Sequence, residues 1–397
     1  MVDTQAQQAA SQPPKLKRPQ RPFWFRLREF WRRVTAGLEA EALWRQFATE
    51  AKEGYGLYSR DVDWQTEQAN SWKRGFFIFR SFFWALILKL SPPKRVLLLG
   101  AFGLLLFSAL DEKHDLSLLA AVILFLLLAL ELADRVAMKR DLQIAREIQG
   151  WLVPTEAPAV PGIEIAFATR PANTVSGDYY DAFWRGGLTA QRGSATSGAA
   201  TPHLLLVVAD VVGKSVPAAL LMATLQASLH SLAELPSSLE DLVLRLNSYS
   251  CAHSAGGRRF TTAFLAELNP ETLEMSYVNA GHNFPILRRQ SRAIERLERG
   301  GVPLGVMPDV PYETGSVQLA PGDTLIIFTD GVVEAWDEKG EDFGELRLLQ
   351  IAAQTEDFSA AQVRDSVMSG VADFTGDARQ HDDITCLILR VVSTSVS

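Results

Sequence analysis

Two stretches of the chain are apolar on every face. They are VLLLGAFGLLLFSAL, from Val96 to Leu110, and LSLLAAVILFLLLALELA, from Leu116 to Ala133. A helix packed in a soluble core keeps a polar stripe, and neither stretch has one. The second is close to the roughly 17–25 apolar residues that cross a bilayer, and the first is slightly shorter. Only the polar loop DEKHD separates them, too small for a sensory domain, so the pattern predicts a transmembrane helical hairpin over 93–133. Lys89, Lys94 and Arg95 precede the first apolar stretch and Arg135, Lys139 and Arg140 follow the second. Basic flanks at both ends predict that both ends face the cytoplasm.

Upstream, GFFIFRSFFWALILKL (Gly75–Leu90) is aromatic-rich and broken by Arg80. It reads as an interfacial or re-entrant segment, with a third span as the alternative that would move the N-terminus across the membrane. The aromatic and basic residues before it suit either an amphipathic helix on the membrane or a small helical packing domain. Residues 23–92 are therefore predicted as a helical or interfacial region. Residues 1–22, Gln-, Ala-, Ser- and Pro-rich and then basic, are predicted as a disordered tail without the pattern of a secretory signal.

Past Ala133 the pattern becomes that of a charged helix up to Pro154, a linker helix over 134–155. Met138, Ala145 and Leu152 recur every seven residues with Ile148 between them. This suits either a heptad-like seam pairing with a second copy or a helix packed on its own domain. PTEAPAVPG reads as a linker. From Ile163 to Val392 the chain alternates short β-type runs with helical stretches. Pro217 stands at a favoured first-turn position and Ser238 at an N-cap. The strands do not alternate one-for-one with helices. That predicts an α+β domain over 160–393, with sheets inside and helices outside, rather than a doubly wound sheet. The Gly/Ser/Thr-rich run Arg185–Pro202 is predicted as a flexible insertion.

Composition narrows the function. The formal net charge is −7 over 397 residues, which argues against nucleic-acid binding. Two distant cysteines, Cys251 and Cys386, exclude a thiolate zinc cluster or a disulfide framework. What stands out is a repeated design in which an apolar segment meets an aspartate, usually beside glycine. It occurs in SGDYYD (Asp178, Asp181), LLLVVADVVGKS (Asp210), LIIFTDGVVE (Asp330, Glu334) and HDDITCLIL (Asp382, Asp383). Each alone is most simply a turn. Several such carboxylates brought together would repel unless a cation lay between them, and oxygen-only ligands suit Mg²⁺ or Mn²⁺. Two such ions are a standard device for phosphate-ester hydrolysis. There is no P-loop to favour nucleotide hydrolysis.

The ordered set SGDYYD, ADVVGKSVPAAL, TTAF, NAGHNFPIL, PLG, TDGVVEA and HDDIT resembles the PPM (protein phosphatase 2C) superfamily, in its bacterial sporulation stage II E and sigma-regulator branch. The resemblance runs from about Asp141 to Val392 and includes the entry helix IAREIQGWLVP. It implies a β-sandwich flanked by helices, a site for two Mn²⁺ or Mg²⁺ ions, and hydrolysis of protein phosphoserine or phosphothreonine by water without a phosphoenzyme. Carried over by motif, Asp210 would bridge the ions, the Val211 carbonyl would be a second ligand, and Asp330 and Asp382 would bind directly. Asp210, Asp330 and Asp382 would thus carry catalysis. Asp178 would sit close to the ions. Asp181, Gly213, Lys214, His282, Gly331, Glu334 and Asp383 would stand beside these ligands in supporting positions. His282 reads equally as a structural turn residue. Val212 stands where many eukaryotic relatives have the histidine of DGHGG, which leaves the proton donor to the leaving group unassigned. Ser215 stands where many bacterial relatives have a second glycine (GKG), with little effect expected.

The resemblance further implies a phosphoprotein substrate such as an anti-sigma-factor antagonist, and a bacterial inner-membrane enzyme with its catalytic domain in the cytoplasm. Pairing through the linker helix would make it a homodimer, and that helix would carry a signal from the hairpin. The competing reading is a catalytically inactive regulatory module of the same fold, tethered to the membrane.

Overall fold

The computed structural model describes residues 90–111, 114–185, 202–254, 256 and 258–392. The expected tail over 1–22, nearly all of the expected helical region 23–92 with its Gly75–Leu90 segment, and the insertion over 186–201 lie outside the described residues. The chain divides into two units, Met1–Leu132 and Ala133–Ser397.

In the first unit, helix α1 (Pro92–Leu110) starts after Ser91, with proline in its first turn. The next helix, α2 (Ser117–Leu152), runs for 36 residues. Both are long and apolar enough to cross a membrane. Their large side chains are mostly exposed, and the buried positions are the small Ala101 and Ala120. The turn between them is pinned by Asp115, whose Oδ1 accepts from the Ser117 N–H at 2.9 Å and from the Ser108 hydroxyl at 3.1 Å. Lys94 donates to Glu131 at 2.8 Å. Along α2, Met138 and Ile148 of the heptad-like seam are exposed.

The second unit is a sandwich of two sheets. One has the strand order β1 (Ile163–Arg170), β11 (Ile384–Val391), β10 (Thr324–Phe328), β6 (Ile286–Arg288), β7 (Ile294–Arg296). The other has the order β2 (Asp178–Trp184), β3 (Leu204–Val211), β4 (Thr261–Leu268), β5 (Glu274–Ala280), β8 (Gly300–Gly301), with β9 (Gly315–Gln318) also on β5. Among the described residues the one parallel pair of strands is β5 with β8. Strand alternation sends every second side chain inward. Tyr180, Leu206, Val208 and Phe264 of one sheet meet Leu325, Ile327, Leu387 and Leu389 of the other. The opposite faces carry helices. α3 (Val216–Ala233) and α4 (Leu239–His253) cover Leu205, Val207 and Leu265. α6 (Gly344–Gln354) and α7 (Ala360–Thr375) cover Ile326, Phe328 and Ile388. The four-residue α5 (Asp330–Val333) follows β10. This is the α+β architecture that the strand and helix pattern predicts.

Pro217 stands in the first turn of α3 and Ser238 at an N-cap, as expected. Ser238 caps α4 by accepting from the Asp241 N–H, and Ser359 forms a full capping box with Gln362 at the start of α7. α3 is also long and apolar enough to span a membrane. It instead buries the stripe Ala218, Met222, Leu225, Leu229 and Ala233 in the domain core. In the expected linker, Val153 and Val160 pack against the cores.

Candidate metal and catalytic site

Strand pairing gathers the motif aspartates at one end of the sandwich. β2 begins where β3 ends, and their antiparallel register sets Asp178 opposite Asp210. β10 ends where β11 begins, with Phe328 opposite Cys386, so Asp330 and the Asp382–Asp383 pair lie just beyond that last rung. Asp178 and Asp210 share the inward parity of Tyr180 and Val208. They therefore point into the gap between the sheets, not toward the covering helices.

A belt of threonines closes the apolar core beneath them. Thr169 and Thr385 share a hydrogen bond at 2.8 Å. The Thr329 hydroxyl donates to Asp178 Oδ2 at 3.0 Å, linking the two sheets, and accepts from the Thr385 N–H at 3.1 Å. The sequence carries a signal for this belt: Thr169, Thr329 and Thr385 each stand two residues from an inward apolar residue of the same strand.

The carboxylates are electrostatically strained. Burial and the charge of Asp210 push Asp178 well above the usual carboxylate range. Burial, then Asp330, Asp382 and Asp383, push Asp210 up to about 7, against the relief of a hydrogen bond with Asp178. Burial and then Glu334 raise Asp330. Desolvated like charges resist ionising together, and a bound cation reverses that preference. Lys214 supplies one local positive charge, its Nζ 3.1 Å from Asp382 Oδ2 and donating to the His381 carbonyl at 2.6 Å.

The donor chemistry fits a hard divalent ion, because the converging motif side chains offer only oxygen, while His381 beside Asp382 stacks its ring on Trp336. A Cβ added to Gly177 would lie 3.1 Å from the Val211 carbonyl oxygen and 3.8 Å from Asp210 Oδ1, so this glycine leaves open the space between strand end and carboxylate. Among the described residues, no three His, Cys, Asp or Glu side chains already form a cage.

The supporting positions divide. Asp383 is held by a bracket of donors: the Ala172 N–H at 2.7 Å, the Ser176 hydroxyl at 2.8 Å and the Gly177 N–H at 2.7 Å. It ties the loop before β2 to the start of β11. Gly331 is required for close approach, since a Cβ there would stand 2.0 Å from the Asp383 carbonyl oxygen. Glu334 is exposed, and its backbone N–H closes the α5 turn on the Asp330 carbonyl at 2.8 Å. Gly213, at φ +118°, and Ser215, at φ 64° and ψ −145°, shape the loop that presents Lys214.

Two positions lie apart. Asp181 is three residues from Asp178 on one strand, which sends it to the opposite face. There it accepts from Tyr179 at 2.7 Å and pairs with His230 on α3 at 2.8 Å, so it is a correction to the expectation that it supports the strand-end group. His282 is buried, its Nδ1 3.0 Å from the Thr262 hydroxyl and its N–H donating to Asn279 Oδ1 at 2.7 Å. Thr262 sits opposite Asp210 in the sheet, so His282 underpins the site from below.

Sequence reasoning passed over Ser176, the threonine belt and the Trp336–His381 stack, with ring centroids 3.9 Å apart, which lines a cleft beside Asp382 with Arg379.

The comparisons with known proteins bear on this arrangement. Residues 201–392 match the family model of stage II sporulation protein E (SpoIIE). The phosphoserine phosphatase RsbU of Bacillus subtilis is 29% identical over 259 residues, 64% of this chain and 70% of that protein. Protein IcfG of Synechocystis is 28% identical over 292 residues, 66% of this chain but 43% of that protein. Among solved structures, the SiaA-PP2C domain of Pseudomonas aeruginosa superposes with a TM-score of 0.55 at 20% identity, covering 65% of this chain and 98% of that one.

Proposed function

We propose, from the premise that this chain carries a SpoIIE-type protein-serine phosphatase domain of the PPM superfamily, that it is a membrane-anchored, metal-dependent phosphatase of bacterial signalling acting on phosphoserine or phosphothreonine. The observation that carries this reading is the convergence of Asp178, Asp210, Asp330 and Asp382 at one end of the sandwich, where burial and mutual repulsion favour a bound cation.

Asp178, Asp210, Asp330, Asp382 and the Val211 carbonyl would hold two Mn²⁺ or Mg²⁺ ions. When bound, such ions activate water and neutralise phosphoryl oxygens. The chain's own residues do the rest. Thr329 orients Asp178 through its hydroxyl. Asp383 fixes the loop before Asp178. Lys214, half-exposed beside Asp382, adds positive charge at the mouth for an incoming phosphoryl group. His282 is buried and held against Thr262, the residue opposite Asp210 in the sheet.

The relative RsbU, a phosphoserine phosphatase, supports a phosphoserine substrate, and the motif resemblance points to an anti-sigma-factor antagonist as its class. The apolar helices α1 and α2, with basic residues at both ends, support an inner-membrane anchor with the catalytic domain in the cytoplasm. The domain limits read from the sequence, hairpin 93–133, linker helix 134–155 and phosphatase 160–393, belong to this proposal, as does a dimer formed through the exposed Met138 and Ile148 face. Retention of all four carboxylates favours catalysis over an inactive binding module.

The test is phosphate release by the full chain in detergent, from a phosphoserine protein or p-nitrophenyl phosphate, with and without Mn²⁺. Asp330→Asn should reduce Mn²⁺-dependent release at least about a hundredfold, the scale of losing a group that stabilises transition-state charge. Equal release by wild type and this variant across several substrates would sink the enzymatic reading.

A further inference from the structure

Gln149 lies in the last turn of α2, within the second unit, and belongs to none of the motif aspartate segments. Its side-chain amide makes two hydrogen bonds with one backbone residue: Nε2 donates to the Ser176 carbonyl at 2.6 Å, and Oε1 accepts from the Ser176 N–H at 2.9 Å. This is the reciprocal pairing a neighbouring strand would offer, supplied by a side chain that carries a donor and an acceptor together. Val153, the first residue beyond the helix end, packs against the cores on both faces of the β2–β3 sheet. The helix end is thus anchored by an apolar contact, with the amide one turn behind it.

What the amide grips leads directly to the site. Ser176 is buried, and its hydroxyl donates to Asp383 Oδ2 and accepts from the Asp178 N–H at 3.1 Å. Gly177, the next residue, donates to the same Asp383 oxygen and leaves open the space beside the Val211 carbonyl. Asp178 follows, opposite Asp210. The loop is therefore held from two sides, by Asp383 on the sandwich and by Gln149 on the helix. Asp383 alone leaves the Ser176 peptide group without a backbone partner from the sheet, since β2 pairing begins at Asp178.

We propose that Gln149 is a positioning residue for the metal site: its amide holds the Ser176 peptide, and through it the loop that sets Asp178 against Asp210. This deepens the phosphatase reading and rests on it for the activity measurement alone. A rotation of the end of α2 about its axis breaks both bonds at once, so ion affinity becomes sensitive to the register of this helix.

The experiment uses the full chain in detergent micelles with Gln149→Met, Gln149→Glu and Glu147→Gln. Met keeps length and helix propensity but lacks both polar groups, Glu keeps the acceptor but lacks the donor, and Glu147 is an exposed neighbour. Mn²⁺ affinity is measured by titration calorimetry, the metal-free Tm by scanning, and kcat and KM on a phosphoserine protein. Gln149→Met should weaken Mn²⁺ binding about tenfold, the scale of two lost amide hydrogen bonds. Its kcat should fall at limiting Mn²⁺ and recover at saturating Mn²⁺, with KM unchanged. Gln149→Glu should behave alike and carries the test if the Met variant fails to fold, while Glu147→Gln should match wild type. Mn²⁺ affinity within twofold of wild type in the folded Gln149 variants, or an equal loss in Glu147→Gln, overturns the proposal. A wild type that binds Mn²⁺ yet releases no phosphate refutes the phosphatase reading and leaves the affinity comparison to decide the role of Gln149. A wild type that binds no Mn²⁺ overturns both.

Discussion

Gly331→Ala perturbs the site at its tightest backbone approach. The added Cβ would stand 2.0 Å from the Asp383 carbonyl oxygen, and ordinary contact begins at 3.4 Å, so the two backbones must part by 1.4 Å (3.4 less 2.0 Å). Neither side yields cheaply. Gly331 starts the turn of α5, which is fixed by the Glu334 N–H to Asp330 carbonyl bond. Asp383 is held by three donors from the loop before β2. Overpacking of this kind costs about 2 kcal/mol, which for a domain of this size lowers Tm by about 4–8 °C. The same separation moves Asp330 away from Asp382. Ligand distances tolerate shifts of about 0.2 Å, so Mn²⁺ affinity should fall far more than stability does, by at least about a hundredfold. Scanning calorimetry with and without Mn²⁺ reads both effects: the variant should melt lower and lose the Tm increase that Mn²⁺ gives wild type. A variant melting within 1 °C of wild type, with an intact Mn²⁺ response, would refute the close packing of Gly331 on Asp383 and with it the coupling of the Asp330 and Asp382 segments (~1 °C lies below the smallest shift assigned to such overpacking).

Two other outcomes follow from local geometry. Ser215 adopts φ 64° and ψ −145°, a region that only glycine enters without strain. Ser215→Gly should therefore stabilise the domain by about 1 kcal/mol, after the greater unfolded-state freedom of glycine is subtracted, and a lowered Tm would contradict the strained loop. This replaces the expectation, from the GKS motif alone, that the serine has little effect. Burial holds the buried His282 down to about 4, below its ordinary value near 6.5. The unfolded chain then takes up this proton first as pH falls, so stability from this source is complete above about 6.5 and is lost toward 4, on the order of 3 kcal/mol in all. The raised Asp178 and Asp210 work in the opposite direction, gaining protons first in the folded state. The contribution of His282 is therefore read as the difference in unfolding free energy between wild type and His282→Asn. That difference should shrink between pH 7 and 4, and a constant difference would mean that the imidazole is not held neutral.

Much of the molecule is determined by local sequence. The continuous apolar runs of α1 and α2 need no partner to declare themselves, because their lack of a polar face is a property of each segment. The continuous apolar runs of β3 and β10, the Ser238 and Ser359 caps and the aspartates at strand ends are likewise written within a few residues. The sequence also separated Asp383 from the other aspartates, though only by resemblance, and its three donors come from a loop more than two hundred residues earlier.

What only the tertiary structure decided depends on register and on facing surfaces. Asp178 and Asp181 look equivalent in SGDYYD, yet the two-residue period of a strand sends one into the gap between the sheets and the other to His230 on α3. The strain at Ser215 is a backbone torsion that no composition rule carries. Gln149 reads as one more polar position on a charged helix until the fold brings the Ser176 peptide to its amide. Sequence determines periodicity because it repeats over neighbours; it does not determine which distant backbone a side chain will meet, because that meeting exists only after the strands have paired.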